Sequence, residues 1–209
     1  MQGLYTINES TKTAANATTW IQPGIHDNLK LVDVKYDVSK NGKRFLAFYA
    51  ENAQGDTVSC TEWEYTPKKS IDQMDMKEKE TALSIIENQK SKIKQIVEIF
   101  KGNFNITAES FEDFAKKTVA FIGDSYKNKA IRLKVVYDKR GWTTFGQSSK
   151  TVFIESMTTS KEDSKIRILQ SDRMIRPEQP DEQNREANPA NDIVDLGLQS
   201  PESSDEVPF

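Results

Sequence analysis

The sequence predicts a mostly β domain with a helical insertion, α+β in class, followed by a disordered acidic tail. Three observations predict it. Over residues 20–65, and again from 130 onward, short β-rich runs of apolar residues, some alternating with polar ones, are separated by turn signals. Between Met76 and Ile122 the apolar spacing changes to three and four. After Pro177 both charge and proline content change abruptly.

The first strand is predicted over Leu29 to Val38, where alternation slips once at Leu31-Val32, as at a bulge. Asn41-Gly42 is a strong hairpin signal, and Arg44 to Glu51 follows as a second strand. Gln54-Gly55-Asp56 turns the chain into a third strand, Thr57 to Tyr65, completing a meander. Upstream, Trp20 to His26 reads as an opening strand ended by the Pro23-Gly24 turn, with Trp20 in the core and His26 a hydrogen-bonded turn residue.

Ala82, Ile86, Ile93, Ile96, Val97 and Phe100 predict an amphipathic helix between Met76 and Phe100, closed by Gly102. A second helix is predicted from about Ala108 to Ile122, with Thr107 as N-cap and Gly123 at its end. Strands return at Ala130 to Tyr137, at Thr151 to Met157 and at Lys165 to Leu169. Five or six strands with helices inserted over residues 75–123 fit an antiparallel barrel of the OB type, and equally a β-sandwich.

The 209 residues suit one domain with an appendage. No run approaches the ~20 apolar residues of a membrane span, and the opening Met1-Gln-Gly-Leu-Tyr has no basic region followed by an apolar stretch, so no signal peptide is visible. One cysteine, Cys60, excludes an internal disulfide, and with the single His26 it cannot supply a zinc site unaided. A reducing, cytoplasmic setting and no cofactor or metal are expected.

The net charge of −3 hides two opposed parts. Residues 1–177 carry +5, whereas residues 178–209 carry −8 and hold four of the seven prolines. Such a tail cannot bury enough apolar surface to offset its ordering entropy. It ends in Asp205-Glu206-Val207-Pro208-Phe209, where a terminal ring and carboxylate follow two acids. The ring fits an apolar pocket and the acids fit a basic rim, while Pro208 limits the freedom lost on docking.

These residues resemble the acidic tip of bacterial single-stranded DNA-binding proteins, whose tails end in several aspartates followed by Ile-Pro-Phe. Val207 stands here in place of the Ile, and Asp205-Glu206 replace a longer aspartate run. The basic body with its Trp20-Ile-Gln-Pro-Gly-Ile-His opening and meander is more similar to the phage-encoded proteins of this type. The resemblance implies sequence-nonspecific binding of single-stranded DNA, protecting and organising it during replication, recombination and repair. It also implies recruitment of partner enzymes through Asp205, Glu206, Val207, Pro208 and Phe209. It carries over no base-stacking residue.

Composition nominates those. In Ile131 to Tyr137, Arg132 and Lys134 face one side and the apolar residues the other. The following connection presents Lys139, Arg140, Trp142 and Phe145 between glycines: bases for phosphates, rings for stacking. The hairpin at Lys43 and Arg44, with Lys35 and Tyr49, is a second candidate. Trp63 shares a strand face with Tyr65, a stacking platform if exposed and core if buried. No phosphate-cradling glycine motif or nucleophile elbow appears, so no enzyme is expected.

At a reach of roughly 30 Å, the tail can fold back onto the domain's own basic groove and compete with DNA. The alternative is a protein-interaction module whose tail mimics the tip to occupy partner pockets without binding DNA. It expects Arg132, Lys134, Lys139 and Arg140 dispersed rather than gathered beside Trp142.

Overall fold

A computed structural model describes residues 19–177. The predicted tail and its tip at Asp205 to Phe209 lie outside these described residues. The architecture is a closed five-stranded barrel with two helices. The strands are β1 (Gly24–Val38), β2 (Arg44–Glu51), β3 (Thr57–Trp63), β4 (Ala130–Tyr137), β5 (Thr143–Phe145) and β6 (Ile154–Ser156). Helices α1 (Met76–Lys101) and α2 (Phe111–Ile122) are inserted between β3 and β4.

Around the barrel the order is β1-β2-β3-β5-β4, and β4 returns to β1. The length of β1 makes closure possible. Its first half pairs with β4 (Gly24 opposite Val135, Lys30 opposite Ala130), and its second half pairs with β2. The strand bends between the two. One register shift lies between Leu31 and Asp33, at the predicted slip, and another between His26 and Leu29, where Asn28 takes φ 62°. Bulges of this kind turn a strand from one neighbour to the next.

The opening strand predicted at Trp20–His26 is divided by the structure. Residues 19–21 bond alongside Thr57, while Gly24 to His26 are already the start of β1. The β3–β5 seam is narrow: they pair in parallel only at Ser59 opposite Thr144, with Thr144 Oγ1 donating to the Ser59 carbonyl at 2.8 Å. β5 and β6 continue one another along the same edge of β4, where Tyr137 pairs with Thr143 and Ile131 with Ser156.

Inside the barrel Leu29, Leu46, Phe48, Val58, Leu133, Phe145 and Phe153 are fully buried. Each such side chain contributes about 1.5–3 kcal/mol through removal of apolar surface from water. Helix α1 adds Ile93, Ile96, Val97 and Phe100 to this core, and α2 adds Ala115 and Ile122. At the N-terminus of α1, Asp75 accepts from the Glu78 amide and Glu78 reaches back to the Asp75 amide, a complete capping box. The second helix starts later than predicted, because Ser110 rather than Thr107 is its N-cap, accepting from the Asp113 amide at 3.1 Å.

Lys165–Leu169 is not a strand. The chain after β6 runs back across the outward side of β4 as an irregular strap, and its polar groups turn to side chains: the Lys165 amide donates to Glu155 and the Leu169 amide to Asp172. Among the described residues no helix is long and apolar enough to cross a membrane.

Candidate nucleic-acid interface

Strand parity sorts β3 into two sides. Val58, Cys60 and Glu62 are buried, while Ser59, Thr61 and Trp63 are half-exposed. Opposite them on β2 stand Tyr49, Ala47 and Phe45. The Phe45 and Trp63 rings lie 4.8 Å apart in a tilted arrangement, and Trp63 remains half-exposed. Past the single β3–β5 contact the strands part, and a cleft of about 700 Å³ opens between β3, the β4–β5 loop and α1. That size lies within the range of small-molecule sites.

All three tryptophans of the chain, Trp20, Trp63 and Trp142, line this cleft together with Tyr65. Lys139 and Arg140 stand at its rim. The loop bearing them is rigidly built: Asp138 Oδ1 accepts from the Arg140 and Trp142 amides, each at 2.8 Å, and the Asp138 amide donates to the Trp142 carbonyl. Gly141 takes φ 79° there, a backbone region that favours glycine. Thr143 Oγ1 on the same wall is buried and has no hydrogen-bond partner among the described residues.

The far wall belongs to α1, through Ile85, Asn88, Gln89 and Lys92. Gln89 Nε2 donates to the Trp63 carbonyl at 2.6 Å and so ties the helix to the end of β3. Lys92 forms a close ion pair with the buried Glu62. Burial pushes the Glu62 carboxyl above the usual carboxylate range. Burial also opposes the Lys92 charge, but the facing Glu62 outweighs it and holds the ammonium protonated. Burial pushes the neighbouring Cys60 thiol far up, which opposes thiolate formation. No three His, Cys, Asp or Glu side chains gather as a metal-ligand set among the described residues.

Of the residues nominated from sequence, Trp63, Lys139, Arg140, Trp142 and Phe145 come together at this cleft. Phe145 is only 1% exposed and packs near Phe153, so it is a core residue that closes the wall rather than a stacking surface. Lys35 and Tyr49 lie on the outward side of β1 and β2, with the ammonium 5.6 Å from the ring centre and also near Asp37. Lys43 is exposed on the β1–β2 hairpin. Arg44 is committed elsewhere, to Glu64 at 3.0 Å and Glu112 at 3.3 Å.

Arg132 and Lys134 require correction. Parity does turn them outward from the barrel, but the strap covers them to 3% and 4% exposure. Arg132 Nε donates to Asp27 at 2.5 Å, and Lys134 Nζ donates to Asp172 at 2.8 Å and to the Arg167 carbonyl. A buried cation already paired with a carboxylate has no face left for a phosphate. Trp20, expected in the core, is half-buried at the cleft. The α1 residues were not anticipated. Their signal is Asn88, Gln89 and Lys92, which set a polar row beside the apolar stripe.

Fold and site together define a small closed β-barrel with a tryptophan-lined cleft under a basic loop. No protein-family model matches the chain, and no curated protein matches it.

Proposed function

We propose that the chain binds single-stranded DNA without sequence preference, through a barrel of the OB type. The observation that carries this reading is the meeting of three tryptophans with Lys139 and Arg140 at one cleft. Rings offer faces on which unpaired bases stack at about 1–3 kcal/mol each, and cations track the phosphates. In the OB arrangement the second and third strands and the β1–β2 and β4–β5 loops form the oligonucleotide face. On that reading the face would include Tyr49 on β2, Trp63 on β3, Lys43 in the β1–β2 loop, and Lys139 and Trp142 in the β4–β5 loop.

The protein protects single strands during replication, recombination and repair, in a cytoplasm and in the manner of phage-encoded proteins. The tip Asp205 to Phe209 recruits partner enzymes, and the chain catalyses no reaction itself. The acidic segment 178–209 competes with DNA for the basic cleft and is released when a strand binds. Burial of Arg132 and Lys134 favours the alternative, a protein-interaction module that mimics the tip, because it removes two of the four cations expected in one channel.

Fluorescence-anisotropy titration of a labelled ~30-nucleotide dT oligomer and of a duplex separates the readings. Tight binding confined to the single strand and weakened by salt is expected of the full chain, and tighter binding of a chain ending at Pro177. Absence of binding by either leaves the mimic.

A further inference from the structure

The strap has a second consequence at the cleft. Lys134 holds it by a buried ion pair with Asp172, whose carboxylate also accepts from the Leu169 amide at 2.7 Å. Just beyond, the Arg173 carbonyl accepts from the Tyr137 amide at 2.8 Å, at the point where β4 gives way to the Lys139–Arg140 loop. Three residues on, Arg176 lies across that loop. A Cβ placed on Gly141 would stand 3.1 Å from both Cγ and Nε of Arg176. A side chain at this φ would be strained, and it would press Arg176 aside by a few tenths of an ångström. The Arg176 side chain is exposed, and it forms no ion pair with any described residue.

Resting on the single-strand reading above, we propose that Arg176 is a phosphate-binding residue of the same interface. Lys134 fastens the strap, and the strap sets another cation against the Lys139–Arg140 loop. Lys139, Arg140 and Trp142 line the cleft, and Arg176 packs against Gly141 of the same loop, so the three cations can follow one strand's backbone. A guanidinium suits this place because its planar fork meets two phosphate oxygens at once. Arg176 is also the last base before the described chain ends, so strand binding and the start of the acidic tail share one point.

The test uses the full chain, a ~30-nucleotide dT oligomer and salt from about 50 to 200 mM, with Arg176→Ala and Arg176→Lys as variants. Each phosphate contact to a single strand contributes about 0.7 to the slope of log affinity against log salt. Arg176→Ala is expected to flatten the slope by that amount and to weaken binding roughly five- to tenfold at the lowest salt. Arg176→Lys is expected to keep the slope. Unchanged affinity in Arg176→Ala, with wild-type binding intact, overturns the assignment alone. Weaker binding at an unchanged slope overturns it too, since Arg176 would then only support the loop. No binding by the wild type removes the single-strand reading and this assignment with it.

Discussion

Glu62 and Lys92 show how much a single contact decides in this molecule. Both side chains are largely out of water, at 7% and 17% exposure, so each charge depends on the other. Removing one partner leaves an uncompensated buried charge, which costs about 3–5 kcal/mol, while removing both with apolar replacements of similar volume costs far less. Lys92→Met is therefore expected to lower unfolding stability in urea by that amount, and Glu62→Leu/Lys92→Met to recover most of it. Equal losses in the single and double variants would contradict the pairing. At this scale the sequence was only half legible. Alternation correctly set Arg132 and Lys134 on the opposite side from Ile131 and Leu133. It could not say that a later polar segment would cover that side, because covering is decided by contacts far apart in the chain. The same limit hid Trp20, whose partner Thr57 lies well along the chain.

Among elements, the meander and both helices were readable because each carries its own period and its own punctuation. The Leu31-Val32 slip, Asn41-Gly42 and the closing glycines all mark real features. Two elements were not readable. β5 is three residues long and is defined by its pairing with β4, so nothing local announces it. The strap looks strand-like at Lys165–Leu169, yet its hydrogen bonds go to Glu155 and Asp172 side chains rather than to a neighbouring strand. If the buried Lys134–Asp172 pair fastens the strap, Asp172→Asn is expected to free it. Hydrogen exchange should then quicken at the Tyr137 amide, which bonds the Arg173 carbonyl, while amides in the β2–β3 ladder keep their protection. Unchanged exchange at Tyr137 would show that the strap is held by other contacts.

For the whole molecule, charge and aromatic placement point the same way. A body of +5 presents its tryptophan-lined cleft beneath a loop that carries Lys139, Arg140 and Trp142, and a segment of −8 follows the body in sequence. Because every tryptophan of the chain lines that cleft, emission excited selectively at tryptophan reports on it. Titration of the full chain with dT oligomer, following tryptophan emission at two salt concentrations, tests the central claim most directly. Bases stacking on Trp63 or Trp142 should quench the emission in a saturable way, with tighter binding at low salt and little response to duplex. Emission unmoved by the oligomer at concentrations where anisotropy shows it bound would place the strand elsewhere on the molecule and contradict the account.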